Sequence, residues 1–231
     1  MGNYKGHLAE ILLEGYQNAS ARMHCPVDAA PSAGQYLQAH ALGDELQAVP
    51  ISVFVAGSAV PAGLKDVSLP IWARLPENWQ PGTELLLRGP LGHGFDLPKR
   101  AKRVALAALA GSPGRLLPLV NLALMQHAEV VLCCDAPLGE LPLAVEVQGL
   151  DDLRKIIRWT DYLALDIKLE DIEELRSLLG STPGTLTAQA LVVAPMPCGG
   201  LAQCGVCTLA TSKGPRLACE DGPVFDLKVL L

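Results

Sequence analysis

Four of the seven cysteines in this 231-residue chain lie close together near its C-terminal end, and they are Cys198, Cys204, Cys207 and Cys219. They follow the spacing Cys-x5-Cys-x2-Cys-x11-Cys, with three in one Gly-rich loop and the fourth after a hairpin predicted over residues 208–217. A Gly- and Cys-rich segment of this length cannot bury a core of its own. We therefore expect a metal to hold it in place.

The kind of metal follows from the spacing. Four thiolates suit an iron–sulfur cluster, and the spacing is close to the C-x4-C-x2-C of plant-type [2Fe–2S] sites with a nearby fourth ligand. A compact loop lets backbone amides point at the sulfurs, and Gly199, Gly200 and Gly205 permit the unusual backbone angles that this requires. A structural zinc is one alternative, although zinc tetracysteine sites usually present two C-x2-C pairs and this chain has one. Incidental free thiols are the other alternative.

The remaining cysteines have a different setting. Cys25, Cys133 and Cys134 lie in apolar strand contexts, and we expect them to be buried in the core, where cysteine behaves as a small hydrophobic residue.

Composition excludes two classes of partner. Lys and Arg number 18 against 24 Asp and Glu, for a net charge of -6, and no basic stripe typical of nucleic-acid binding is visible. Mean hydropathy is high at +0.28, yet the apolar run that starts at Val104 is interrupted by Ser112, Pro113 and Arg115, so no membrane insertion is predicted. The N-terminus shows no signal-peptide core. We expect a cytoplasmic chain whose surplus apolar surface serves a partner.

Three regions of the chain differ in pattern. Residues 1–98 contain short apolar runs punctuated by Pro and Gly, which predicts an antiparallel β-barrel. Residues 99–194 alternate strands with helices, which predicts a parallel sheet in an α/β domain of nucleotide-binding type. Residues 195–231 form the [2Fe–2S] tail. The predicted fold class is therefore α+β multidomain, with an N-terminal antiparallel barrel, an α/β parallel-sheet domain and a cluster-binding tail.

The second region is predicted to contain helices over 115–127, 151–159 and 171–179, between strands over 104–110, 129–134, 143–147, 162–167 and 190–194. Two places in it are candidate binding features. Gly111 and Gly114 lie between the first strand and the first helix, where they would let a pyrophosphate approach the helix N-terminus; an ordinary βα turn fits equally well. Asp166 and Lys168 end a strand, where α/β sheets place ligand groups, although the favoured interpretation is a solvated strand end.

Several segments resemble one known family. The tail reads Met196-Pro197-Cys198-Gly199, then Cys204-Gly205-Val206-Cys207, then Cys219-Glu220-Asp221-Gly222-Pro223-Val224-Phe225. It resembles the iron–sulfur tail of the electron-transfer subunit of dihydroorotate dehydrogenase B, and the ending from Cys219 is its most specific part. Gly34-Gln35-Tyr36, Pro81–Leu85 and Gly89–Phe95 resemble barrel strands of the same family. The order of barrel, α/β domain and tail agrees over essentially the whole chain.

This resemblance implies a ferredoxin-reductase-like architecture and an electron-transfer role. In the family, NADH reduces a bound FAD, which passes electrons singly through the [2Fe–2S] cluster to a second, flavin-containing catalytic subunit. The implied cofactors are therefore the cluster, FAD and NAD(P)H, with the four tail cysteines as cluster ligands. The flavin-binding positions would be Pro50, Ile51 and Ser52, and the nucleotide-binding positions Gly111 and Gly114. No catalytic side chain is assigned, so enzyme activity is expected only as part of this electron transfer.

The chain departs from the family at the flavin and nucleotide motifs. The family has Arg-Pro-x-Ser, with the Arg facing the flavin phosphate, whereas this chain has Val49 at that position. The family's Gly-x-Gly-Thr phosphate turn is replaced by residues 75–79, and its Cys-Gly-Pro segment is absent because residues 194–196 lead directly into the cluster loop. These differences define an alternative, in which a structural or relay subunit of a redox complex has lost flavin and nicotinamide binding.

Overall fold

The computed structural model of the chain describes residues 2–14, 18–44, 49–58, 60–136, 141–179 and 186–231. These residues form a barrel, a mixed sheet with flanking helices, and a C-terminal segment that contacts both.

The barrel is made from the first seven strands, which are β1 Gly2–Glu14, β2 Asn18–Pro26, β3 Tyr36–Ala41, β4 Ile51–Val55, β5 Val60–Pro61, β6 Asp66–Trp72 and β7 Glu84–Leu91. They hydrogen-bond in the order β2-β1-β7-β3-β4-β6-β5, and β6 also pairs with β2, so six antiparallel strands close into a ring. Along β7 the side chains alternate, with Leu85 and Leu87 buried inside and Leu86 exposed. The predicted antiparallel barrel is confirmed.

The second sheet contains the parallel strands β8 Arg103–Ala108, β9 Glu129–Cys133, β10 Val145–Gln148, β11 Tyr162–Lys168 and β12 Thr187–Val193. The helices beside it are α1 Leu117–Met125, α2 Leu153–Ile157 and α3 Ile172–Leu179. The first helix begins two residues later than predicted because residues 113–115 form a 3₁₀ turn, and Pro118 then occupies the first turn of α1, where its missing N–H costs nothing. The predicted parallel sheet is confirmed.

The strand order of this sheet is β10-β9-β8-β11-β12. The chain winds outward in one direction from β8 through β9 to β10, and then in the other direction through β11 and β12. In open α/β sheets, ligands bind beyond the carboxyl ends of the strands where the winding reverses. In this chain that switch point lies between β8 and β11.

The C-terminal segment joins the second sheet. It contains the hairpin β13 Thr208–Thr211 and β14 Gly214–Leu217, as predicted, followed by β15 Val224–Asp226 and α4 Leu227–Leu230. β15 pairs antiparallel with β12, and Phe225, Leu227 and Leu230 are buried in the same core as the sheet. The segment therefore shares the core of the second sheet. None of the helices in the described ranges is long and apolar enough to cross a membrane.

Candidate metal centre

The fold brings the four tail cysteines together as two pairs. The thiols of Cys198 and Cys204 are in hydrogen-bond contact, and so are those of Cys207 and Cys219. Charge on Cys198 also acts on Cys219, so the two pairs are neighbours. Within the described ranges, no three His, Cys, Asp or Glu side chains have the arrangement of a single-ion site. Two adjacent cysteine pairs fit a two-iron cluster, in which each iron takes two thiolates.

The loop between the first two cysteines directs its backbone amides at the sulfurs. The amides of Leu201, Gln203 and Cys204 donate to Cys198, and the amide of Ala202 donates to Cys219. The loop reaches this shape through positive φ angles, of 63° at Gly199 and 58° at Ala202. Successive inward amides form an anion-binding concavity of the kind that surrounds iron–sulfur sites. The arrangement of Cys198, Cys204, Cys207 and Cys219 therefore fits the cluster that the spacing predicts, and these four cysteines stay the predicted ligands.

The thiols of the site differ in acidity for identifiable reasons. The amide of Gln203 is the main cause that lowers the pKa of Cys198 to about 6, because it stabilises the thiolate. Burial is the main cause that raises the pKa of Cys219 to about 12, and the hydrogen bond with Cys207 adds to it. The cysteines outside the site are buried as expected, and desolvation raises the pKa of Cys25 to about 11 and that of Cys133 to about 12.

This difference predicts a pH-dependent labelling pattern in cluster-free protein. Iodoacetamide reacts with thiolates, so labelling of Cys198 is expected to rise with a midpoint near pH 6 and level off by about pH 7. Cys219 should remain unlabelled over this range because its pKa is about 12 and it is 3% exposed. Mass spectrometry of the peptides, after brief labelling at each pH, measures both. A midpoint near pH 9 at Cys198 would show that the amides do not point at its sulfur.

The cluster loop rests on the outer wall of the barrel. Four side chains, which we call the barrel wall, face it from β3, β4 and β7, and they are Tyr36, Gln38, Ser52 and Arg88. The Tyr36 hydroxyl donates to the carbonyl oxygen of Cys219 at 2.9 Å, and Gln38 Nε2 donates to Ser52 Oγ at 2.9 Å. Ser52 Oγ also lies 3.8 Å from Met196 Sδ. These contacts attach the tail to the first domain beside the cysteines.

The three flavin candidates lie at this same contact. A Cβ at Gly199 would stand 2.8 Å from Pro50 Cγ, so the cluster loop lies directly against Pro50. Ile51 packs partly against the barrel core, and Ser52 joins the barrel wall. The structure therefore brings the predicted flavin segment next to the predicted cluster, although Val49, 44% exposed, offers no cation for a phosphate.

Gly200 has no room for a side chain, which gives a second prediction. A Cβ there would lie 2.5 Å from the Tyr36 hydroxyl, whereas Gly214, with a similar φ of +94° against +74°, has nothing within 4 Å. Gly214→Ala should cost only the strain of a positive φ, about 1–2 kcal/mol. Gly200→Ala should cost about 1–3 kcal/mol more and lower the iron content. Urea unfolding and iron analysis measure these effects; equal losses in both variants would contradict the packing described.

A buried ion pair occupies the switch point of the second sheet. Asp166, fully buried in β11, accepts bonds from Arg115 Nη2 at 2.8 Å and Nε at 3.1 Å, and from the amide of Ala110 at 3.2 Å. Burial raises the pKa of Asp166, and the guanidinium and the amide oppose that rise. The interpretation of Asp166 as a solvated strand end is wrong, because Arg115, from the turn after β8, reaches back to it. Lys168 does lie exposed, 3.9 Å from Glu170.

The two nucleotide candidates differ in their surroundings. Gly111, with a φ of +95°, is exposed and has nothing within 4 Å of its Cβ position. Gly114 is buried, and a Cβ there would stand 2.7 Å from the ring of Trp72, which comes from the barrel. The amide of Gly114 is already bonded to Ser112 Oγ at 3.3 Å. Gly114 thus serves the packing of the two domains, and only Gly111 borders open space.

The C-terminal segment is similar to a known protein family. Residues 195–231 match the family model described as the iron–sulfur cluster binding domain of dihydroorotate dehydrogenase B. This match confirms the resemblance seen in the sequence. It also supports an iron–sulfur cluster over zinc in the tail. No curated protein matches the chain.

Several solved structures share the fold of this chain. An NADH-dependent reduced ferredoxin–NADP oxidoreductase, described in connection with flavin-based electron bifurcation, is 15% identical with a TM-score of 0.73, over 97% of this chain and 88% of its own. The ferredoxin reductase of carbazole 1,9a-dioxygenase is 18% identical with a TM-score of 0.61, over 82% and 68%. A Neisseria gonorrhoeae ferredoxin NADP+ reductase with bound FAD and NADP is 10% identical with a TM-score of 0.56, over 82% and 99%. The ferredoxin-reductase-like fold is therefore confirmed.

Three residues near these sites were not predicted from the sequence. Arg88, Arg115 and Trp72 contact partners that lie 42 to 112 positions away in the chain by their residue numbers. The one available signal for Arg88 was a charged residue among the leucines of a strand, at a position whose side chain faces away from the barrel core.

Proposed function

We propose that the chain is an electron-transfer subunit that passes electrons from NAD(P)H, through FAD and a [2Fe–2S] cluster, to a flavin-containing catalytic subunit. The observation that carries the proposal is the set of four cysteines, gathered in two pairs under inward-pointing amides. When bound, the cluster supplies one-electron transfer. The protein holds it with Cys198, Cys204, Cys207 and Cys219. We place the protein in the cytoplasm, where thiols stay reduced and available to iron.

The position of the cluster loop supports transfer between two centres. On its inner side the loop contacts Pro50 and the barrel wall, which is where the family resemblance places the flavin. On its outer side Cys204 is exposed, beside Leu201 at 52% and Val206 at 49% exposure. Exposed apolar side chains around a redox centre suit a docking surface. We therefore propose that the catalytic subunit docks over Leu201, Cys204 and Val206.

A second candidate function is favoured by the switch point. The Arg115–Asp166 pair fills the position where a nucleotide would approach, Trp72 covers Gly114, and Val49 supplies no charge for a flavin phosphate. These observations favour a relay subunit that keeps the cluster but lacks FAD and NAD(P)H. Electrons would then enter from another member of the complex.

One anaerobic preparation separates the two functions. The chain is purified from its native cells without added cofactor, and its flavin is released by heat, quantified, and compared with its iron. The electron-transfer proposal predicts about one FAD for each cluster, NADH oxidation with an artificial acceptor, and a co-purifying subunit with its own flavin. A preparation with iron but without FAD or NADH oxidation would establish the relay function instead. A preparation without iron would contradict both.

A further inference from the structure

Arg88 on the barrel wall has a buried nitrogen atom that no residue in the described part of the chain pairs with. Its Nη1 atom is shielded from solvent and has no hydrogen-bond partner. Within the described ranges, the ion pairs closer than 4.0 Å involve five other arginines and Lys168, and none of them involves Arg88. A guanidinium nitrogen that is buried without a hydrogen-bond acceptor is costly, since it loses its hydration without compensation. A negative group outside the described amino acids would therefore stabilise Arg88 at this position.

The surroundings of Arg88 identify that group. Arg88 lies opposite Gln38 in the pairing of β7 with β3, so its side chain shares the outer face of the barrel. Its Nη2 atom lies 3.7 Å from the Cβ position of Gly199 and 3.6 Å from that of Gly200, the two residues that follow Cys198. The guanidinium is thus held against the backbone of the cluster loop.

The Tyr36 hydroxyl gives a second link between Arg88 and the cysteines. The Cβ position of Gly200 lies 2.5 Å from the Tyr36 hydroxyl and 3.6 Å from Arg88 Nη2. The Tyr36 hydroxyl also donates to the Cys219 carbonyl at 2.9 Å. Arg88 and the Tyr36 hydroxyl, which is bonded to Cys219, therefore lie against the same residue of the cluster loop.

We propose that Arg88 is the charge partner of the cluster, and that it raises the reduction potential of the cluster from beneath the loop. This inference rests on the proposed cluster. Four thiolates and two sulfides outweigh two ferric ions, so the cluster is an anion that gains a further negative charge on reduction. A fixed cation nearby stabilises the reduced form more than the oxidised form. Net charge and hydrogen bonding are among the factors that set the potentials of such clusters.

The test is a dye-mediated redox titration of the full chain, followed by EPR, on wild type and four variants. Arg88→Gln should lower the ratio of reduced to oxidised cluster at a fixed potential by about tenfold, which equals about 59 mV for one electron. Arg88→Lys keeps the charge and should restore most of the loss. Arg22→Gln removes a barrel arginine that already pairs with Glu10, and should change nothing. Gln38→Met removes the unpartnered oxygen opposite Arg88 together with the bond to Ser52, and it should shift the potential far less than Arg88→Gln.

The outcomes separate this inference from the proposed function. Wild-type protein without iron contradicts the function itself. An unchanged potential in Arg88→Gln with the cluster intact overturns only the role of Arg88, as does loss of flavin without a change in potential. An equal shift of the potential in Gln38→Met would show that Arg88 interacts with the Gln38 side-chain amide and not with the cluster. If Arg88→Gln fails to assemble a cluster, Arg88→Lys decides: an assembled cluster near the wild-type potential supports the proposal, and a failed or equally shifted one overturns it.

Discussion

Replacement of Cys204 by Ser is expected to remove the cluster while leaving most of the chain folded. Serine offers a harder and less acidic oxygen in place of a thiolate, which iron–sulfur chemistry tolerates poorly. Iron retention should weaken by at least about 100-fold, because losing even an outer-shell partner of a metal ligand typically costs 10–100-fold. Cys204 is exposed, so the substitution leaves no cavity in the core. Iron analysis and the visible spectrum after anaerobic purification measure the effect.

The control for this variant is Cys133→Ser, because Cys133 is fully buried in β9, which three strands of the sheet separate from β15 of the tail. It should keep its iron and its spectrum. Limited proteolysis adds a structural readout: without the cluster, new cleavage should appear between residues 196 and 217, whereas β15 and α4 stay protected in the second core. If Cys133→Ser bleaches the protein and Cys204→Ser does not, the assignment of the ligands is wrong.

Asp166→Asn is expected to destabilise the protein by about 3–5 kcal/mol, the typical cost of removing one partner from a buried ion pair. The cost arises because Arg115, 8% exposed, is left as an uncompensated buried charge. Urea unfolding followed by tryptophan fluorescence measures it. Glu10→Gln is the matched control, since its pair with Arg22 is exposed at 3.6 Å and should contribute no more than about 1 kcal/mol.

A double variant separates the charge from the packing. Arg115→Met combined with Asp166→Leu removes both charges and keeps apolar bulk, so it should recover most of the stability lost in Asp166→Asn. If the double variant is no more stable than the single one, the loss comes from the shape of the switch point. A loss below about 1 kcal/mol in Asp166→Asn would place the pair in solvent.

The sequence was informative where local pattern determines structure. Alternating apolar residues with Pro and Gly breaks predicted the barrel, and the βα rhythm predicted the parallel sheet, because both signals extend over many neighbouring residues. The hairpin over 208–217 was predicted with its structural limits, and Ser212 and Lys213 form the turn between its two short strands. The cysteine spacing predicted the loop whose amides point at Cys198, since spacing alone limits how the sulfurs can converge.

The parts that sequence could not give are contacts between distant residues. Nothing near Arg115 indicates that it pairs with Asp166, and nothing near Gly114 indicates that Trp72 covers it. Three residues of the tail, Val224 to Asp226, extend the second sheet as β15, although so short a run carries little periodic signal. The turn at 111–114 resembled a phosphate-binding turn because its two glycines are visible in the local sequence. The residues that pack around it, Trp72 and Asp166, are distant in the chain.

The most direct test of the central claim is iron and sulfide analysis with EPR on dithionite-reduced, anaerobically purified wild-type protein. A [2Fe–2S] cluster on Cys198, Cys204, Cys207 and Cys219 predicts about two irons and two sulfides for each chain, with the EPR signal of a reduced two-iron cluster. Near-zero iron, or zinc in its place without acid-labile sulfide, would contradict the account.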